Sequence, residues 1–426
     1  TEVAGIEVLA GQNLTMRGTA RVDSASVARM EADGTVEMAP ESTIDAGRRT
    51  FLLAGEDAVL GSVATAAGPP PEGYRDRDIL EEDLPGLVYV RAHGGAVFDA
   101  GEGETGHDGV NLKASAIAIR AMTGIASDDM LEIDSTFGFV ASTRSGDINV
   151  TDVGGGLTIM RTLRFPGVRI AIGGGGHDIN LFARSPLKVS GEVTNAGSGK
   201  IVLGAQSSGG EDDLTVEAPV SGGGKVILSA GRNYAQSGEG RVSGAGSVTV
   251  AAGYDYSDAG LQQTETGGSV SLDSGAQVAS AGGNVSVRAS SKVSLSGTVS
   301  SGSGSVTVDG QSVTADASSR ISAPSGGVFV NATAGEATLS GRVESSFSSV
   351  NGNVEARGLS EEMAFLRDMK IPGVYLDGFG EEDKRGEEEE EGEEEDKQAE
   401  GPGTEDGRPA TRAGIEEQRR SARANN

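Results

Sequence analysis

Between Ser145 and Ala356 one phrase keeps returning: a Gly- or Ser-rich turn, then an apolar-polar-apolar triplet. It reads G-D-I-N-V at 146, G-K-I-V-L at 199, G-K-V-I-L at 224, G-S-V-T-V at 246 and 304, and G-N-V-S-V at 283. The first apolar residues of the triplets fall at Ile148, Ile179, Ile201, Val226, Val248, Val270, Val285, Val306, Val328 and Val354. Most intervals lie between 21 and 26 residues, with outliers of 31 and 15. A period of about two dozen residues is the mark of a solenoid, in which each repeat buries its apolar face only against its neighbours.

Residues two apart in a strand point to one face, so each triplet sends two apolar side chains one way and one Asn, Thr or Ser the other. Stacking the phrases at about 4.8 Å per layer would turn single Val and Ile residues into internal ladders. Weaker triplets between the main ones (Leu214 and Val216, Val293 and Leu295, Leu339 and Val343) give each coil two or three short strands. Val, Thr and Ser favour strands, and the interspersed Gly would weaken a helix by about 1 kcal/mol per site. The expected fold is therefore all-β, a right-handed parallel β-helix. An antiparallel sandwich of hairpins is the alternative, but hairpins need no period near 22.

With 67 Gly, no Trp and 4% aromatic residues, the chain suits thin stacked coils better than a thick core. The absence of Cys excludes disulfides, zinc-thiolate sites and a catalytic thiol. No apolar run reaches 18 residues, so no helical transmembrane segment is expected. A net charge of -28 argues against nucleic acid as a partner. The chain opens on Thr1, beside strand-like sequence and without a signal segment, as a processed product or a piece of a longer polypeptide would.

Four regions follow. Residues 1–140 read as irregular N-terminal coils, interrupted at 68–86 by a protruding loop with three consecutive prolines, which cannot pair in a ladder. Residues 141–357 are the regular β-helix. Residues 358–378 read as a short helix, with Ser360 as N-cap and Pro372 as its stop. It would cap the last coil, whose open edge otherwise recruits other chains, or serve as a docking peptide. Residues 379–426 form an acidic tail, with thirteen acidic and three basic residues from Glu381 to Glu400, and are expected to be disordered.

The segment GIASDDMLEIDSTFGFVASTRSGDINVTDVGGGLTIM at 124–160, with SPLKVSGEVTNAGSGKIVLGA at 185–205, resembles the repeats of large filamentous-haemagglutinin-like bacterial surface and secreted proteins. The resemblance covers roughly residues 50–356. It implies a parallel β-helix, export across the bacterial envelope with a possible outer-membrane transporter, and a role as adhesin, biofilm component or scaffold. The Asn-Pro-Asn-Gly motif of that family's secretion domain is missing, which suits a C-terminal portion.

Sequence candidates for chemistry are few. Gly173, Gly174, Gly176 and Asp178 partly match a calcium-binding nonapeptide, but Asn180 stands where a large apolar residue is needed and the phrase occurs once. A glycine-rich turn is the simpler reading. Asp212 and Asp213 are the adjacent carboxylates within the regular coils. They would cooperate as acid and base only in a turn, because strand neighbours face opposite ways. His93, His107 and His177 lie far apart and read as loop residues. Asn149, Asn284 and Asn331 begin Asn-x-Ser/Thr sequons and read as polar strand or turn positions.

The reading that results has no catalytic, cofactor-binding or metal-binding residues. It is a non-enzymatic adhesin or structural stalk, extracellular or on a bacterial surface. Its partner would be a host or matrix surface, through a polysaccharide or protein receptor. The alternative is a carbohydrate-active β-helix enzyme, a polysaccharide lyase or hydrolase.

Overall fold

In the computed structural model the described residues are 5–356, except 67, 69–83, 85, 102–108, 128, 185, 207–210, 258 and 265–266. Most of the 68–86 loop, His107, the 358–378 helix and the acidic tail lie outside them. The chain divides into Thr1–Phe379 and Gly380–Asn426, and all the described residues belong to the first unit.

The first unit is a parallel β-solenoid without a helix among its described residues. Among the described residues all strand pairings between coils are parallel, and the one antiparallel pair is the excursion Tyr254–Ser257 with Gly260–Gln263. The ladders can be followed side chain by side chain. On one face Val8, Met30, Leu52, Val90, Ile119, Ala141 and Val168 stand in register. The same column continues through Val193, Val220, Val242, Val278, Val299, Ile321 and Val343. Apart from Val8, on the terminal coil, every member is buried. Each such burial is worth about 1.5–3 kcal/mol for a Val, Leu or Ile, so the column supplies much of the stability.

A second column runs from Leu14 through Val36, Ala58, Val97, Ile125 and Ile148. It goes on through Ile179, Ile201, Val226, Val248, Val285, Val306 and Val328. Two assignments from the repeat therefore change. Val270 and Val354 belong to a third column, Leu157, Leu187, Leu214, Tyr234, Val270, Val293, Val313, Ala337 and Val354. The coil after Val248 is long because the hairpin at 254–263 is inserted in it, so the next layer resumes at Val285.

The N-terminal coils are also more regular than expected. Leu14, Val36 and Ala58 recur every 22 residues, as do Val8, Met30 and Leu52. Their triplets use Met, Ala and Leu as well as Val (Leu14 with Met16, Val36 with Met38, Ala58 with Leu60), which dilutes the pattern without disturbing the packing.

The glycine of the repeated phrase has a steric cause. A Cβ on Gly199 would stand 1.9 Å from the carbonyl oxygen of His177 in the coil before. At Gly146, where φ is +88°, it would stand 1.7 Å from that of Thr123. At these two corners the coils stack too closely for a side chain, although the coils before them carry His177 and Thr123 at the same place. At three corners the residue just before the apolar triplet caps the next layer. Asp147 Oδ1 accepts the Asp178 N–H at 2.7 Å, Asp178 Oδ1 the Lys200 N–H at 2.8 Å, and Asn284 Oδ1 the Ser305 N–H at 2.9 Å.

The cross-section changes at Asp152. The N-terminal ladder Val22, Ile44, Val63, Leu112 and Ile133 meets Asp152, beyond which the row becomes Ala183, Ala205, Ala230, Ala252 and Ala289. Asp152 is buried at this junction, where the turn at 153–156 leads to Leu157–Ile159.

Candidate functional surface

Each residue singled out for chemistry has a place in the coil stack. Asp178, of the glycine-rich turn, caps the next layer, and its other oxygen lies 3.6 Å from Lys200 Nζ. Gly173, Gly174 and Gly176 are exposed in the turn beside it. His177 is half-buried, with Nδ1 3.5 Å from Asp147 Oδ1. Among the described residues no group of three or more His, Asp or Glu converges as metal ligands would.

Asp213 receives Arg232 Nε and Nη2 at 2.8 Å each, with the Asn233 N–H at 3.0 Å. The Arg232 guanidinium holds the Asp213 carboxyl below the usual carboxylate range, against the opposing effect of burial. Asp212 is buried, whereas Asp213 is only half-buried. The pair is thus split between an interior position and a coil-to-coil ion pair rather than facing a common substrate.

The sequon asparagines are structural rungs. Asn180 Nδ2 donates to Asn149 Oδ1 at 2.7 Å, and Asn149 Nδ2 to the Ala126 carbonyl at 2.7 Å. Asn331 Nδ2 donates to Asp309 Oδ1 at 2.6 Å, and Asn351 Nδ2 to Asn331 Oδ1 at 2.8 Å. Asn284 is the corner cap already described.

Outward positions of the C-terminal coils form small polar rows. Ser221, Ser243, Ala279, Ser300 and Ser322 are in register on one face. Thr215, Ala235, Ser271, Ser294, Thr314 and Thr338 are in register on another. Hydroxyls recur along these walls at multiples of the ladder spacing of about 4.8 Å, with gaps at Ala279 and Ala235 and with Ser322 buried against Glu344.

Sequence reasoning missed a different surface. A cleft of about 290 Å³ opens where the coils of residues 91–93, 120–122 and 142–144 meet, lined by Arg91, His93, Arg120, Ser142 and Arg144 among others. Arg91 is directly opposite Arg120, Arg120 opposite Ser142, and Ser142 opposite Arg169. His93, Arg120, Arg144 and Arg169 are exposed and Arg91 is half-buried. The signal is Arg at one phase of successive coils, hidden because those coils differ in length.

No family model, curated protein or solved structure matches this chain.

Proposed function

We propose that this chain is a non-enzymatic adhesin or structural stalk, secreted or displayed on a bacterial surface, as its resemblance to filamentous-haemagglutinin-like proteins implies. The observation that carries this reading is the pair of in-register Ser/Thr rows on an uninterrupted ladder stack. Such walls offer repeated weak contacts over a long surface, where strength comes from area and multiplicity rather than one deep pocket. Further contacts would come from the excursions between coils. Among the described residues no helix is long and apolar enough to cross a membrane, which is compatible with export as a passenger of an outer-membrane transporter.

The test is attachment. Beads coated with the purified chain should be retained on immobilised polysaccharides or host-cell surfaces above beads coated with an unrelated acidic protein. Incubation with the same polysaccharides should leave their chain length unchanged. Equal retention of both beads would remove the adhesive reading, and shortening of the polysaccharide would replace it with a carbohydrate-active enzyme.

A further inference from the structure

We propose that the cleft bearing Arg91, Arg120 and Arg144, extended by Arg169, is a binding site for a carboxylated polysaccharide. The proposal rests on the adhesive reading above and assigns it a ligand class.

The argument begins with what the rest of the solenoid does with its cations. Where a charged residue faces outward, the next coil usually answers with the opposite sign. Arg29 is opposite Glu7, with Nε 3.4 Å from Oε1. Lys113 is opposite Asp134 at 2.7 Å, and Arg288 opposite Asp309 at 3.5 Å. Lys188 reaches Glu217 at 2.9 Å and Arg320 reaches Glu344 at 2.5 Å. Like charges directly opposite on paired strands are destabilising. Like charges are also opposite at Asp23 and Asp45 and at Arg320 and Arg342, but there Arg21 pairs with Asp23 and Glu344 serves both arginines, whereas Arg91 beside Arg120 has no such answer.

None of Arg91, Arg120, Arg144 and Arg169 has a carboxylate partner among the described residues, in a chain carrying 63 Asp and Glu against 35 Lys and Arg. A local violation of pairing with no compensation inside the fold is where function is expected. The violation also coincides with a cleft, of a size at the lower end of ligand pockets.

The chemistry of the lining selects the ligand. Guanidinium forks match planar carboxylates bidentately, and Ser142 between Arg120 and Arg169 adds a hydroxyl suited to a sugar. From Arg91 to Arg169 the row spans three ladder steps, about 14 Å, and so takes a short stretch of a linear chain. Among the described residues no Phe, Tyr or Trp lines the cleft, so these supply none of the stacking platform that single-stranded nucleic acids use. The strongly negative charge elsewhere would confine a polyanion to this patch and make binding salt-sensitive.

The experiment is calorimetric titration of the full chain with a hexameric uronic-acid oligosaccharide, dextran sulfate, neutral dextran and a hexathymidylate. The oligouronate should bind, more weakly as salt rises from 50 to 300 mM. The double variant Arg91→Ala/Arg120→Ala should lose at least tenfold in affinity, with its melting temperature unchanged or raised because a repulsion is removed. Arg241→Ala, an exposed arginine on a distant coil, should bind as wild type. No binding of the oligouronate, equal losses in Arg241→Ala, or a preference for dextran sulfate or the oligonucleotide would overturn the assignment. Bead attachment by the wild-type chain separates the two ideas. Attachment without oligouronate binding sinks only the cleft, whereas oligouronate binding without attachment sinks only the adhesive role.

Discussion

Asp152 accepts the backbone N–H of Ser135, one coil earlier, at 3.2 Å, from a position inside the ladder where the next five coils place Ala. Its second oxygen receives the Gly156 N–H at 3.4 Å. One carboxylate thus satisfies donors on both sides of the place where the coil cross-section changes.

The cost of that arrangement depends on pH. Burial raises the Asp152 pKa from 3.8 to about 6, with a smaller push from Asp134, and the backbone donors oppose the rise. Because the folded pKa lies above the unfolded one, the folded chain binds more protons between about pH 4 and 6. Stability therefore falls as pH rises through that window, by an amount of the order of 3 kcal/mol, and levels off above it. Asp152→Asn carries no charge. Its stability relative to wild type, followed by urea denaturation, should be higher at pH 7.5 than at pH 4. A difference that does not change with pH would refute the buried ionisation.

Thr50 offers a simpler test. Its hydroxyl is fully buried without a hydrogen-bond partner, stacked between Ala28 and Val88. Replacing it by Val keeps the shape and removes the unsatisfied group. Thr50→Val should stabilise the chain by about 1 kcal/mol, read as an upward shift in thermal melting.

The corner glycines should resist the smallest change. Gly199→Ala places a methyl 1.9 Å from the His177 carbonyl oxygen, so the layers must separate there. A loss of about 1–3 kcal/mol is expected, against a near-neutral effect at Gly155, where the added carbon meets nothing within 4 Å. Denaturant midpoints of the two variants make the comparison.

Tyr234 and Gln236 form a buried polar pair. The Tyr234 hydroxyl donates to Gln236 Oε1 at 2.8 Å, while Gln236 Nε2 reaches the carbonyls of Gly240 and Gln277, each at 2.9 Å. Burial pushes the phenol pKa upward, so it stays protonated and donating across the ordinary pH range. Tyr234→Phe strands the amide oxygen and should cost about 1–3 kcal/mol, whereas Tyr234→Phe with Gln236→Leu should recover much of it. Denaturation of the single and double variants decides whether the two residues are coupled.

The parallel solenoid was legible because Val and Ile at a fixed phase can be satisfied only by stacking. The face to which a phrase belongs was not. G-S-V-S-L at 268 looks like G-S-V-T-V at 246, yet Val270 stacks on Tyr234 and Val248 on Val285. An excursion alters the count of residues without altering the ladder, so spacing alone misplaces the triplet that follows. The same effect hid the arginine cleft. Arg91, Arg120 and Arg169 share one outward row, but their coils differ in length, and charge totals dominated by the acidic residues gave no hint of a basic patch. Asp152 carried no signal, since an apolar-polar-apolar-polar strand ending in Asp reads as a strand reaching solvent.

Ala58 pairs in register with Val97 and Val248 with Val285 although the sequence between them is longer than in other coils, and in the second case the hairpin Tyr254–Ser257 with Gly260–Gln263 takes up extra residues. Axial position is therefore decoupled from chain length. New recognition segments can be grafted at such tips, at heights fixed by the layers beneath, and the scaffold need not be renegotiated each time the cargo changes.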